Sequence, residues 1–192
     1  MSGIKISICL CGDTNVGKTS LLNRYLNDQY DEYGQPTLGA DYLDKKVILN
    51  EKEVVFSFWD TAGQERFKSI TNSFFRNVEG GLVVFDLSNL ESFQSVETWI
   101  KSFREANTRS GIILLIGNKS DKSAERIVSN EEAENLAKKL DIYYFEVSAK
   151  SGSNVNDAFE FLENKCFNNY QDLVPPLPSV DIAQKEESKC KC

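Results

Sequence analysis

The stretch Gly12-Asp13-Thr14-Asn15-Val16-Gly17-Lys18-Thr19 decides the fold of this chain. It follows the pattern of a glycine, four residues, and then Gly-Lys-Thr, in which successive backbone N–H groups point inward and form a nest for phosphate oxygens. The two glycines allow backbone conformations and close approaches that a Cβ atom would block. Lys18 can then reach the outer phosphates of a nucleotide, and the Thr19 hydroxyl can bind Mg²⁺.

The residues on either side supply the setting that such a loop requires. Residues 4–10 alternate apolar and polar side chains as a strand does, and Leu22 and Leu26 follow at helical spacing. Ser20, at the start of that helix, is included among the predicted nucleotide-binding residues. An ordinary glycine turn is the alternative, but strand, loop and helix together favour a phosphate site.

Size and composition narrow the class of protein. The 192 residues, 41% of them hydrophobic, fit a domain at residues 1–169 and a flexible tail at residues 170–192. A net charge of −7 argues against a nucleic-acid partner. Because the chain has no histidine, no histidine base or metal ligand can be proposed. The cysteines have the pattern of free cytosolic thiols rather than of a disulfide framework.

Strands and helices alternate along the rest of the chain. Residues 47–49 and 54–59 flank a polar turn and predict a hairpin. Residues 82–85 and 112–116 predict buried strands, and residues 143–147 predict the last strand. Helical stripes separate these strands, and capping-box spacing occurs at Ser88–Glu91 and Ser129–Glu132. The predicted fold is α/β: a mostly parallel six-stranded sheet with one antiparallel edge strand and helices on both faces.

The loop after the second strand of the hairpin has chemistry suited to phosphate. Asp60 can hold Mg²⁺ through a water molecule, opposite Thr19. Gly63 can bring its N–H close to a γ-phosphate because it has no side chain. Gln64 carries both a donor and an acceptor, which suits it to orient an attacking water. A charged strand end followed by an ordinary polar turn is the alternative.

Two later loops have groups that match guanine. Asp121 offers two acceptor oxygens to the N1–H and the exocyclic amine of guanine, a donor pair that adenine lacks. Asn118 can contact the base and neighbouring loops, and the stem of Lys119 can cover the base plane. In the loop Ser148-Ala149-Lys150, the N–H of Ala149 can donate to guanine O6. Each loop alone is weak, but their joint order after strands is a strong signal.

These motifs resemble the small GTPases of the Ras superfamily and, within it, the Rab family, over about residues 4–167 and the last three residues. The nucleotide elements are Gly12–Thr19, Thr37, Asp60–Gln64, Asn118–Asp121 and Ser148–Lys150. The similarity to Rab proteins lies in residues 38–42, 56–59, 66–71, 74–76 and 84–88. The resemblance implies a GDP/GTP switch in vesicle traffic, with Lys18 and Gln64 in the catalytic roles and a P-loop G domain as its fold.

The same resemblance assigns further residues and partners. Thr37 would join Mg²⁺ only when the γ-phosphate is present, and Tyr30 would lie beside the guanine. By this resemblance, effectors would contact Tyr42, Trp59 and Phe74. Judged from the residue types alone, these three aromatic side chains could equally belong to the core. An exchange factor, a GTPase-activating protein, effectors and a dissociation inhibitor or escort protein are the implied partners of a monomer.

The chain ends in Lys189-Cys190-Lys191-Cys192, which resembles the Cys-X-Cys terminus on which Rab proteins carry two geranylgeranyl groups. A metal clip is the alternative, but two cysteines supply few ligands. The 23 residues from Tyr170 onward carry three lysines and four acidic residues, so no polybasic signal assists attachment. Two lipids on Cys190 and Cys192 would place the protein on the cytoplasmic face of an intracellular membrane, cycling with the cytosol.

Two other functions share the phosphate loop. A nucleoside-monophosphate-kinase-like phosphotransferase would need a second substrate site lined with arginines, and the arginines of this sequence are scattered. The second alternative is a GTP-binding scaffold that hydrolyses little GTP. Thr14 occupies a position where Ras has glycine, and its side chain can crowd Gln64 and slow hydrolysis. The presence of Gln64 argues against that scaffold.

Overall fold

A six-stranded sheet forms the centre of the domain. The structure is a computed structural model that describes residues 3–32, 37, 40–61 and 73–173. The strands are β1 (Ile4–Cys11), β2 (Ala40–Leu49), β3 (Lys52–Thr61), β4 (Gly80–Asp86), β5 (Ile112–Asn118) and β6 (Tyr143–Glu146). Their order is β2-β3-β1-β4-β5-β6; β2 and β3 are antiparallel and the other described pairs are parallel. The predicted fold class is confirmed.

Helices cover both faces of this sheet. They are α1 (Lys18–Asn27), α2 (Leu90–Gln94), α3 (Val96–Ala106), α4 (Asn130–Lys139) and α5 (Val155–Leu173). The predicted start of the tail, Tyr170, lies within α5, and residues 174–192 lie outside the described part of the chain. No helix among the described residues is both long and apolar enough to cross a membrane.

Alternation along β1 divides the core in two. Ile6, Ile8 and Leu10 face one side of the sheet and pack in a cluster with residues of α1 and α5. Cys9 and Cys11 face the other side, in a cluster with residues of α3 and α4. Because side chains of a strand point alternately to opposite faces, one central strand anchors both layers of helices.

The hairpin and the helix starts follow local rules, with one correction. The β2–β3 turn has positive φ at Asn50 and Glu51, as two-residue hairpins require. The capping box predicted at Ser129 is confirmed. The one predicted at Ser88 is wrong: Asn89 caps α2, because the N–H and hydroxyl of Ser88 both donate to Asp86 Oδ1.

The parallel strands bring their carboxyl ends to one edge of the sheet. The loops that follow β1, β3, β4, β5 and β6 therefore meet there. Strand β1 lies between β3 and β4, so the chain leaves it at the point where the strand order reverses direction. Ligands of open α/β sheets bind outside such a point, and the phosphate loop occupies this position.

We predict that Gly81→Ala destabilises the domain while Gly3→Ala does not. A Cβ atom at Gly81, inside β4, would lie 2.7 Å from the ring of Phe103, which is buried and has little room to move. Overpacking of this kind costs about 1–3 kcal/mol. At Gly3 the nearest atom would be 3.6 Å away, so the matched control should stay within about 0.5 kcal/mol of the parent. Urea denaturation at saturating nucleotide measures both; equal stability of the two variants would contradict the packing argument.

Candidate nucleotide-binding site

The phosphate loop is fitted tightly between two other strands. A Cβ atom at Gly12 would lie 2.1 Å from the carbonyl oxygen of Val84 in β4, and one at Gly17 would lie 2.4 Å from Asn118 Nδ2. Both glycines also have positive φ, at 135° and 94°. Close approach and conformation therefore both require glycine at the two ends of this loop.

Lys18 is the first residue of α1 and its ammonium group is held inside the loop. Its Nζ donates to the carbonyl oxygens of Gly12, at 2.9 Å, and Asp13, at 2.8 Å. The side chain is 6% exposed, and this burial lowers its pKa, whereas the nearby carboxylate of Asp60 opposes that shift. Two neutral carbonyls compensate a buried charge only in part, so an anion at this position would stabilise it.

Asp60, Thr19 and Thr37 form a corner that fits a cation. The Thr19 hydroxyl donates to Asp60 Oδ2 at 2.5 Å and lies 2.6 Å from the Thr37 hydroxyl oxygen. Asp60 is 2% exposed, and its Oδ1 has no hydrogen-bond partner among the described residues. Burial raises the pKa of Asp60, and the hydrogen bond from Thr19 opposes that rise. An unpaired buried carboxylate oxygen beside two hydroxyls offers oxygen donors of the kind that Mg²⁺ binds.

Asn118 joins the phosphate loop to the loop after β6. Its Nδ2 donates to the carbonyl oxygen of Val16 at 2.8 Å, and its Oδ1 accepts from the backbone N–H of Ala149 at 3.2 Å. The residue is 1% exposed, at the end of β5. Its amide therefore holds three loops in register, and Asn118 itself also lines the cavity between them.

Lys119 has a strained backbone and two firm partners. Its φ is 67°, the left-handed region, which is unfavourable for a residue with a side chain. Its ammonium donates to the carbonyl oxygen of Asn15 and pairs with Asp86 Oδ2, each at 2.8 Å. Asp86, at the end of β4, also accepts twice from Ser88 at its other oxygen. The stem of Lys119 is thus clamped across the region where a base would stack.

Neighbouring side chains also orient Asp121 and the loop after β6, both predicted to contact the base. Ser148 donates its hydroxyl to Asp121 Oδ1, which fixes the carboxylate predicted to recognise guanine. From α1, the guanidinium of Arg24 donates to the carbonyl oxygens of Ala149, at 2.9 Å, and Lys150, at 3.1 Å. Arg24 therefore anchors the loop after β6 to the helix that follows the phosphate loop.

A cavity of about 660 Å³ opens between these loops. Most residues predicted to bind nucleotide line it: Thr14, Asn15, Gly17, Lys18, Thr19, Ser20, Tyr30, Thr37, Asn118, Lys119, Asp121, Ala149 and Lys150. Asp13, Val16, Asp60 and Ser148 are not part of the wall but bond to residues that are. Gly63 and Gln64 lie outside the described residues. The described wall contains no arginine, so a second phosphate site of the kinase type finds no support in it.

Comparison with protein families agrees with this geometry. A family model described as the Ras family matches residues 7–168. The chain therefore belongs to the Ras family of small GTPases, which bind GTP or GDP as switches and hydrolyse GTP. The six-stranded fold described above is consistent with that membership.

Sequence reasoning missed four residues of the cavity wall. Asn23, Asp31, Glu32 and Lys122 also line the cavity. Among them, Glu32 accepts from Lys150 Nζ at 2.9 Å across the mouth of the base region, although both side chains remain more than half exposed. Exposed pairs of this kind contribute about 0–1 kcal/mol. No motif marks these positions, because they reach the cavity through the folding of α1 and the loops.

We predict that Asp86→Asn accelerates release of GDP and GTP by a similar factor, about tenfold. With its oxygen kept on Ser88, the asparagine would turn its NH₂ group toward the ammonium of Lys119. A charge-assisted hydrogen bond is then lost, which typically costs about 1.5–3 kcal/mol, part of which Asn15 recovers. The γ-phosphate is not involved, so the two nucleotides should respond alike. Dissociation of a fluorescent nucleotide analogue into excess unlabelled nucleotide measures the rates.

The matched control is Ser88→Ala. It removes the hydroxyl donor to Asp86 Oδ1 but leaves the pair between Asp86 and Lys119 in place. Its release rates should stay within about twofold of the parent, because the backbone N–H of Ser88 still donates to the same oxygen and the contact with Lys119 is kept. Unchanged release from Asp86→Asn, or equal acceleration in both variants, would show that the clamp on Lys119 does not hold the nucleotide.

Proposed function

We propose that this protein is a Rab-type GTPase, a switch between GDP-bound and GTP-bound states that regulates vesicle and membrane traffic. The observation that carries the proposal is a contiguous cluster of three partly exposed aromatic residues, Tyr42, Trp59 and Phe74. Tyr42 and Trp59 are register partners across β2 and β3, with ring centroids 4.6 Å apart, and Trp59 and Phe74 follow at 5.3 Å. All three keep part of their surface in solvent.

Their place in the fold supports an effector site. Trp59 immediately precedes Asp60 of the cation corner, and Phe74 lies a short way after Gly63 and Gln64 in the sequence. Trp59 and Phe74 also pack against the core cluster that contains Cys9 and Cys11, so the trio is only partly exposed. Contiguous apolar surface that remains partly exposed favours a protein partner over solvent. A surface next to loops that respond to the γ-phosphate can report the nucleotide state to that partner.

The chemistry we propose is hydrolysis of GTP to GDP and phosphate, by positioning and charge neutralisation. Lys18 binds the outer phosphates in place of its present carbonyl partners. Thr19 and Thr37 would hold Mg²⁺, with Asp60 acting through a water molecule. A bound Mg²⁺ supplies positive charge that offsets charge developing on the phosphates. Gln64 orients the attacking water.

The same contacts make the site a switch. The hydroxyl of Thr37, in the loop between α1 and β2, is within hydrogen-bond distance of the Thr19 hydroxyl in the described structure. GTP and Mg²⁺ together would tether the loops around Thr37 and Gly63, and hydrolysis would release them. Since no arginine lines the described wall of the cavity, we expect a GTPase-activating protein to supply one. Thr14 in that wall is expected to slow intrinsic hydrolysis further.

We predict that Gln64→Leu lowers hydrolysis while GTP affinity persists. Leucine keeps the size of the side chain but cannot orient water, whereas the ground-state contacts belong to Lys18 and the loop N–H groups. Partner-stimulated hydrolysis should fall at least about a hundredfold. Single-turnover decay of bound GTP, with and without an activating protein, measures this. The exposed Gln94→Leu, at the end of α2, is the control for added apolar surface. A decay rate equal to that of the parent would remove Gln64 from the mechanism.

Membrane attachment through two prenyl groups, on Cys190 and Cys192, completes the proposal. A single lipid chain gives only marginal, reversible binding, about 10⁴ M⁻¹ for a myristoyl group, so a lasting anchor needs a second chain. The proposed location is the cytoplasmic face of an intracellular membrane, with exchange to the cytosol through a dissociation inhibitor or escort protein. Exchange factor, activating protein and effectors are the other proposed partners of a monomeric switch.

We predict that the double change Cys190→Ser and Cys192→Ser leaves GTP binding intact and moves the protein to the soluble fraction of cells. The described nucleotide site involves no residue beyond Lys150, so the tail should not affect it. Changing Lys189 and Lys191 to serine instead keeps both thiols and removes charge; this control should stay on membranes. Fractionation of cells expressing each variant measures how much of the protein is in the membrane fraction and how much is in the soluble fraction. A double cysteine variant that still sediments with membranes would show a different anchor.

A further inference from the structure

An acidic residue inside a phosphate-binding loop needs a physical explanation. Asp13 follows Gly12 directly, and its backbone carbonyl accepts from Lys18 Nζ at 2.8 Å. Its carboxylate therefore lies on the same loop as the ammonium that must bind phosphate. A carboxylate that turned inward would repel the phosphates and compete with them for Lys18.

The structure shows where this carboxylate goes instead. The indole N–H of Trp99 donates to Asp13 Oδ1 at 2.7 Å. Trp99 belongs to α3, is 5% exposed, and packs in the core cluster on the far side of β1. Asp13 itself is not part of the cavity wall. The bond is charge-assisted, partly buried, and joins residues 86 positions apart.

In the position fixed by Trp99, the Asp13 carboxylate supports the phosphate loop electrostatically. Its negative charge attracts the nearby ammonium of Lys18, and no ion pair joins the two side chains among the described residues. The same carboxylate in direct contact with Lys18 would compete with phosphate for the ammonium. The position of the Asp13 carboxylate therefore decides whether it favours or opposes phosphate binding.

We propose that Trp99 is a positioning residue for nucleotide binding: its indole N–H fixes the Asp13 carboxylate outside the phosphate nest and leaves Lys18 free for phosphate. The proposal rests on the guanine-nucleotide binding that Ras-family membership establishes, and it is independent of the Rab assignment. It predicts that substitutions of Trp99, which lies in the core, and of Asp13 have coupled effects on nucleotide release.

The test is a double-mutant cycle on the full-length protein with Mg²⁺. Trp99→Phe retains an aromatic ring in the core but removes the N–H. With Asp13 present, we expect release of a fluorescent GDP analogue to become about tenfold faster, in line with loss of a charge-assisted hydrogen bond. With Asp13→Asn as the background, the same change at Trp99 should alter release by less than about twofold, because the freed side chain has no charge to place near Lys18.

A packing control separates position from stability. Ile100→Val, next to Trp99 and in the same cluster, removes one buried methyl group from a side chain that has no polar atom to bond the loop. It should lower the thermal unfolding temperature slightly without changing nucleotide release. The proposal is wrong if Trp99→Phe releases GDP at the parent rate. It is also wrong if the acceleration persists in the Asp13→Asn background, because Trp99 would then act through packing alone.

Discussion

Two buried charges with incomplete partners determine how this site works. The ammonium of Lys18 is bonded only to backbone carbonyls among the contacts described, and Asp60 Oδ1 has no hydrogen-bond partner in the described part of the chain. Burial shifts the pKa of each group toward its neutral form. An anion against Lys18 and a cation against Asp60 remove both penalties together, which is the charge pattern of a nucleotide phosphate with Mg²⁺. The domain is therefore built around a ligand that completes it.

The sheet supplies the rigidity that such a site requires. Its central strands are buried on both faces, and β1 anchors the helices of both layers. Single side chains then tie the loops to one another: Asn118 joins three of them, and Asp86 holds Lys119 in its strained conformation. Rigid elements of this kind hold binding groups in place more accurately than isolated loops can.

Electrostatic contacts of the site are arranged in pairs of a charged residue and a residue that positions it. Ser148 orients Asp121, Asp86 fixes Lys119, and the indole of Trp99 holds Asp13. The positioning residues lie at or next to strand ends or in the core, where little motion is possible. Their partners face the cavity or adjoin it. Charged groups in and around the cavity are therefore placed by side chains that lie outside its wall.

The sequence by itself determined the phosphate loop, the alternation of strands and helices, and the order of the guanine loops, because each depends on neighbouring residues. Only the tertiary structure decided the contacts of Asp86, Trp99 and Arg24, since sheet order brings together positions far apart in the chain. The incorrect prediction of a capping box at Ser88 has a related cause, a tertiary contact on a local scale. Local spacing predicted it, but the strand-end carboxylate of Asp86 took its donors, and a pattern of spacing does not contain that competition.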